Sequence, residues 1–500
     1  MQTPAERLPA ARRRRADNER LLQEIATFCR SAAMAESTFG RRAVNDGKFV
    51  ARLRFGGRVT THTVERVRAF IARHGSAASD AAEGGRHAGF NLRPTTHVAP
   101  LPENSEASAP ARVHAVKNAG ESQPTRPAHF RFYDNRQKYL LFVNTCTEKW
   151  VVAQRIDLEL EYIRPRPPAI RLFDAGTGDG TILTRVLRSM HDRFPTIPFY
   201  LVGKEISLED VRLALEKMPD RFYEHPATVL VMTNMYYAEA PWLRPNSLAA
   251  ASGLVWHEVA LAGSTAGAFE RQITDLQSFL TANWTAKISS KSGNPIYERP
   301  VVLVLYREDH KLLLDAVRPV QGAVKAEFDL VIASQPYRAR APTQFKASRV
   351  VAPLVRALGP GGRLIGIHSH GADPGLEIIQ RVWPGENPFL MDRHELLKAT
   401  RQALGGEARG LNFNAYSDQR SLFRYEMHTL PTEITSSIGT STLLAAWNAA
   451  VYVAQLDDQR LEAVMGDPHC LDATREVLQK YGRLWFNNES YVISRHRYAR

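Results

Sequence analysis

Hydrophobic positions follow two rhythms along this 500-residue chain. Before about residue 75 they recur at helical spacing. Asn18–Met34 places Leu21, Leu22, Ile25 and Phe28 on one side, with Asp17 positioned as an N-cap. A second helix is expected from Ser37, carrying Phe39 and Val44 inward. Asn45-Asp46-Gly47 signals a turn, after which Lys48–Arg54 sets Phe49, Val50 and Leu53 against Lys48, Arg52 and Arg54. Gly56-Gly57 ends that helix. Thr61–His74 predicts another, with Val64, Val67, Phe70 and Ile71 facing inward. The pattern defines a small all-α N-terminal domain over residues 16–75.

From about residue 129 the second rhythm takes over. Short, nearly continuous apolar runs alternate with helical stretches: IRLFDAG (170–176), FYLVGKE (199–205), ATVLVMTN (227–234), FDLVIASQ (328–335) and GRLIGIHSH (362–370). Helices are expected between them at Thr181–Phe194, Leu208–Met218 and Thr343–Leu358. Strands buried on both faces read this way, so residues 129–500 predict an α/β domain with a parallel sheet covered by helices. The stretch 243–300 breaks the rhythm and reads as an insertion with a helix over Ala266–Asn283. The run VVLVLYRE (301–308) fits either that insertion or the sheet edge. LWFNNESYVISR (484–495) predicts an edge strand, and 434–480 a C-terminal helical cap. Residues 76–128 lack large apolar side chains and are expected to be a flexible linker.

Composition narrows the classes. The chain is 44% hydrophobic and 23% charged, as in ordinary globular proteins. It has no run of eighteen apolar residues to span a membrane and no apolar stretch after its basic start to serve as a secretory signal. Cys29, Cys146 and Cys470 lie far apart, in neither a disulfide nor a zinc spacing, so a cytoplasmic location is expected. The net charge is +13, and residues 1–74 hold 16 Lys/Arg against 7 Asp/Glu, a surplus of 9. That asymmetry fits either contact with a polyanion or a solvated basic face.

Candidate chemistry begins at LFDAGTGDGTIL (172–183). An apolar strand ends in Asp174; glycines follow at 176, 178 and 180, then a helix. Glycines there let the backbone turn tightly and approach a ligand closely. The acid before them would repel a phosphate and suits a cationic ligand. This run resembles motif I of class I S-adenosylmethionine-dependent methyltransferases. The resemblance implies a Rossmann-like sheet with helices on both faces, and S-adenosyl-L-methionine held by Asp174, Ala175, Gly176, Thr177, Gly178 and Gly180. Glu205, followed by Ile206, stands where that family binds the ribose hydroxyls. Asn234 and Met235 stand where it contacts adenine, and LGPGGRLIGI (358–367) resembles its turn into the fifth strand. A cover over the cofactor is implied for the segment containing Tyr133, Tyr139 and Trp150.

After the fourth expected strand come Ser334-Gln335-Pro336-Tyr337, similar to the tetrapeptide with which amino-methylating members hold the target amine. Gln335 departs from it. Ser334 and Tyr337 are therefore candidate pocket and catalytic residues. His368, and His370 beside it, end the fifth strand where a general base could act. No metal is required, because a sulfonium is already a good leaving group. STFGRRAVNDGKFVARLRFGGRVTTHTVERVRAFI resembles small helix-turn-helix DNA-binding domains. Three functions follow: methyl transfer to an N or O nucleophile of a small molecule, methyl transfer to nucleic acid, or DNA-binding regulation with a non-catalytic cofactor sensor.

Overall fold

The computed structural model describes residues 10–31, 34, 36–44, 46, 49–54, 61–79, 136–290, 294–429, 433–434, 437–464 and 469–497. The chain divides into two compact units, Met1–Ala119 and Gly120–Arg500.

In the first unit the described helices are α1 (Ala10–Ser31), α2 (Glu36–Val44), α3 (Phe49–Arg54) and α4 (Thr61–Ser79). Their apolar stripes meet in a core of Leu21, Ile25, Phe28, Phe39, Phe49, Val50, Leu53 and Val67, with Val64, Phe70 and Ile71 partly buried against it. Phe28, Phe39 and Phe70 contact one another edge-on or tilted. Asp17 does not cap α1, because the Ala- and Arg-rich residues before it extend the helix back to Ala10. Asp46 keeps the expected turn, taking the carbonyl of Gly40 and giving its own to Phe49, whereas Asn45, Gly47, Gly56 and Gly57 lie outside the described residues. Residues 76–79 of the expected linker belong to α4; the rest of it lies outside the described residues, as does Tyr133.

The second unit is built on one ten-stranded sheet. Its first strands are β1 (Ile170–Asp174), β2 (Phe199–Lys204), β3 (Thr228–Thr233) and β4 (Val255–Leu261). A separate ribbon pairs β5 (Ala286–Ile288) with β6 (Pro295–Tyr297). Then come β7 (Val301–Arg307), β8 (Phe328–Ser334), β9 (Leu358–Ser369), β10 (Leu411–Asn414), β11 (Leu422–Glu426) and β12 (Trp485–Arg495). The order is β10-β12-β9-β8-β1-β2-β3-β7-β4, with β11 also on β12. All five expected core strands form, and β9, β8, β1, β2 and β3 run parallel. Side chains alternate between two cores: Phe173, Val331 and Ala333 face one, Leu172, Leu330 and Ile332 the other. From β1 the chain adds strands to one side (β2, β3) and then returns to the other (β8, β9), which makes β1/β8 the switch point where open α/β sheets bind ligands.

Four expectations change. VVLVLYRE belongs to the sheet as β7, fully buried and antiparallel to β3. The insertion also supplies β4, whose mixed WHEVAL pattern suits the half-exposed edge it occupies. The strand from 485 is not an edge: β12 runs antiparallel between β9 and β10, and its residues 488–494 are all buried. The helix expected over Ala266–Asn283 is two, Ala266–Asp275 and Gln277–Asn283. The C-terminal helices Thr440–Val453 and His469–Tyr481 do form a layer, packing with Phe142, Tyr425 and Phe486 in a third core.

Candidate functional site

The carboxyl ends of β1, β2, β3, β8 and β9 bring the candidate residues to one edge of the sheet. β1 delivers Asp174, 2% exposed, into the turn that precedes α7 (Thr181–Arg193). The turn is pinned from both neighbouring strands: Ala175 N–H donates to Ile332 on β8, and Thr177 N–H to Lys204 on β2, at 2.9 and 3.1 Å. Gly180 caps α7 with φ +76°, and a Cβ there would lie 2.7 Å from Cα of Ala214 in α8 (Leu208–Glu216). Only glycine permits both the conformation and the approach. Gly176 differs, since a Cβ there would meet nothing nearer than the Ser334 carbonyl at 3.9 Å.

Asp174 is half-satisfied. One carboxylate oxygen accepts from Gly176 N–H at 3.3 Å, while the other, Oδ2, is buried with no hydrogen-bond partner. Burial pushes Asp174 up to about 7; Glu205 adds to the rise, and the Gly176 N–H and Lys149 oppose it. A buried acid left this way favours its neutral form unless a cation joins it.

Glu205 follows β2 and holds the loop itself. Its carboxylate accepts from Gly178 N–H at 2.9 Å through one oxygen, and from Ile206 and Ser207 N–H at 2.8 and 2.9 Å through the other. A carboxylate has about four acceptor positions, so one remains for a ligand hydroxyl. Asn234 is committed elsewhere. Its amide donates to the Arg299 carbonyl at 2.9 Å and accepts from Val301 N–H at 2.8 Å, clasping the start of β7 to the end of β3. Met235 is buried in the core. Asn234 is 1% exposed and Met235 fully buried, and the amide clasps β7, which was unforeseen as β3's neighbour.

Of the expected cover, α5 (Arg136–Thr145) places Tyr139 over the turn, its hydroxyl donating to Asp179 at 3.3 Å. Lys217 also bonds Asp179 at 3.0 Å. Trp150, on α6 (Glu148–Leu160), is 58% exposed and stacks on Arg185 instead. Behind the turn, the Tyr237 hydroxyl donates to the Pro336 carbonyl at 2.7 Å, and the Lys204 ammonium lies 5.0 Å from the Tyr237 ring centre. Neither Tyr237 nor Lys204 stood out in the sequence.

β8 and β9 carry the second half of the site. Ser334 ends β8; Gln335 takes φ +48°, its N–H donating to Ile367 at 2.8 Å and its amide to Ser369 at 3.1 Å. That turn buries Tyr337, whose hydroxyl lies 2.6 Å from His368 Nδ1. His368 Nε2 lies 2.6 Å from Glu489 on β12, and Arg393 bonds the other Glu489 oxygen at 3.1 Å. His370 stands 3.8 Å from the same oxygen. Burial alone would raise Glu489; His368, His370 and Arg393 outweigh it and hold it well below the usual carboxylate range. An ionised Glu489 can only accept, so the Nε2 contact calls for a proton on that nitrogen, and in the neutral imidazole Nδ1 is then the acceptor that faces Tyr337. Tyr337, His368 and Glu489 thus form one chain from the cleft into the core. Glu489 was not anticipated; the polar run Asn487-Asn488-Glu489-Ser490 gave no sign that the acid would be buried.

The chain opens on a narrow cleft lined by Gln335, Tyr337, Lys346, His368, Phe389 and Met391. Ser334 is absent from that lining and reaches the site through its carbonyl near Gly176. Among the described residues no His, Cys, Asp or Glu cluster could hold a metal ion, and no helix is long and apolar enough to cross a membrane.

No family model and no curated protein matches the chain. Similar solved structures include a protein of Galdieria sulphuraria assigned as a sarcosine dimethylglycine methyltransferase, 8% identical, covering 70% of this chain and 86% of its own, with TM-score 0.29. A geranyl diphosphate methyltransferase bound to GPP and sinefungin is 12% identical over 69% of this chain and 78% of its own, with TM-score 0.26. PKMT2 from Rickettsia typhi, bound to AdoHcy, is 10% identical over 67% of this chain and 50% of its own, with TM-score 0.23. At those values the site has to be read from its own residues.

Proposed function

We propose that the second unit is an S-adenosyl-L-methionine-dependent methyltransferase acting on an N or O nucleophile. The observation that carries the reading is Asp174: a buried carboxylate with an unpaired oxygen, at the sheet's switch point, before a glycine turn. A cationic ligand would pair that oxygen and keep the acid ionised. Asp174 would hold the cofactor's ammonium, the backbone of Gly176–Gly180 would allow its close approach, and the spare acceptor position on Glu205 would take a ribose hydroxyl. Bound there, the cofactor supplies an electrophilic methyl group.

The chain's own residues would do the rest. The turn at Gln335 sets Tyr337 at the cleft, and Tyr139 shields the glycine turn. Tyr337 passes its hydroxyl proton to His368 Nδ1 while receiving one from a hydroxyl or amine acceptor; Glu489 stabilises the resulting imidazolium. Alignment of acceptor with cofactor would supply most of the acceleration.

The test is titration calorimetry with S-adenosylmethionine and S-adenosylhomocysteine. Saturable binding by the native chain is expected, weakened at least about ten-fold in Asp174→Ala, the scale of one lost charge-assisted contact. Absence of binding to both compounds would overturn the proposal. Incubation of the protein with labelled cofactor and cell extract then separates transfer from mere sensing, since a sensor labels no fraction.

A further inference from the structure

The cleft beside Tyr337 contains a charge that the chemistry above does not use. Lys346 opens the π-helical turn Lys346–Val351, a local widening that recurs at functional sites. Lys346 is 3% exposed, yet it is one of the residues that line the cleft. The ammonium donates to the Ala339 carbonyl at 2.7 Å and lies 5.1 Å from the Tyr337 ring centre. An ammonium has three donors, and among the described residues no carboxylate pairs with this one. Two acids elsewhere in this unit have their own partners: Glu489 pairs with His368 and Arg393, and Glu386 with Arg340 and Arg460. Asp373 accepts backbone N–H groups from Leu376 and Asn487. Burial pulls Lys346 down to about 8, as expected of a cation without a counter-charge.

We propose that Lys346 seats a carboxylate group of the methyl acceptor, so that the acceptors are small organic acids. The acceptor role rests on the methyl-transfer reading; the anion seat itself does not. The free space in the cleft is about 10 Å³, room for about one water, so any anion moves the walls on entry, and a planar carboxylate moves them less than a tetrahedral phosphate. One ammonium balances the single charge of a carboxylate, whereas the second charge of a phosphate dianion would be buried without a partner. The remainder of the acid would lie along half-buried Phe389, towards Leu390, which is 81% exposed. Its nucleophilic hydroxyl or amine would then face Tyr337.

The test titrates the full chain with acetate, benzoate, neutral benzamide and inorganic phosphate, followed by calorimetry. Benzoate is expected to bind at least about ten-fold more tightly than benzamide, as a desolvated charge contact predicts. Lys346→Met, which keeps the side-chain length, should erase that difference while leaving S-adenosylhomocysteine binding unchanged. Equal binding of benzoate and benzamide would overturn the seat, as would no saturable binding of either carboxylate, or phosphate binding more tightly than both. Full retention of benzoate affinity in folded Lys346→Met would overturn it too. The wild-type comparison decides the matter if that variant does not fold. Carboxylate binding without S-adenosylhomocysteine binding would support the seat and defeat the methyl-transfer reading.

Discussion

Two buried acids stand at this sheet edge, and their surroundings treat them in opposite ways. Asp174 has one oxygen without a partner and is pushed up to about 7. Glu489 touches two histidines and an arginine and is held well below its ordinary range. Both are buried on strands of the sheet, 2% and 0% exposed, so the difference lies in the partners. A buried charge that is fully paired orients its neighbours; one left incomplete leaves room for a ligand. On the function proposed above, Glu489 would position His368 and Asp174 would bind the cofactor.

Removing the paired acid should have the largest effect. Glu489→Ala takes from Arg393, itself 3% exposed, its buried partner and leaves it Asp418, so it should cost about 3 kcal/mol of stability in denaturant unfolding, the low end for a broken buried pair. A loss below about 1 kcal/mol would show that the chain of contacts adds little to the fold.

Asn234→Ala tests whether that amide is a clasp rather than a ligand contact. It strands the buried Val301 N–H and should cost about 1–3 kcal/mol. Unchanged stability with lost cofactor binding would reverse the assignment.

Removing the unpaired acid should act in the other direction. Asp174 has a folded pKa above its unfolded value of 3.8, so the native state binds more protons than the unfolded one between the two. The stability it contributes is present below the unfolded pKa and lost as pH rises through the folded one. Without ligand, the wild-type melting temperature should therefore fall from acid towards neutral pH more than that of Asp174→Asn. At pH 7 the variant should melt higher while binding S-adenosylmethionine more weakly. A variant less stable than wild type at pH 7 would contradict the unpaired-oxygen account.

The smallest change in stability is expected for Tyr337→Phe, which removes one hydroxyl and costs about 1 kcal/mol. Cofactor affinity should persist while the rate of transfer falls by about 10- to 100-fold, the low end of acid–base contributions. An unaltered rate would remove Tyr337 from the proton path.

Much of this was legible before the fold was known. The five apolar runs became β1, β2, β3, β8 and β9, because strands buried on both faces have to be continuously apolar. The glycine turn was legible because the left-handed φ at Gly178 and Gly180 and the packing of Ala214 leave few alternatives. β4 was missed because an edge strand needs no continuous apolar pattern, and β12 was misplaced because its apolar residues do not name their neighbours. Asn234 was read as a ligand contact for the same reason: its partner Val301 is remote in sequence. Lys346 and Glu489 looked like ordinary charges.

The sequence by itself determined the five central strands, the turn after Asp174 and the basic charge and helical periodicity at the start of the chain. These follow from local periodicity and backbone sterics, which act over a few residues. Only the tertiary structure decided which acid was paired. It brought Glu489 to His368 across 121 residues and left Lys346 without a counter-charge in a cleft. Pairing and desolvation are properties of the packed interior, where partners come from distant segments, and no local pattern encodes them.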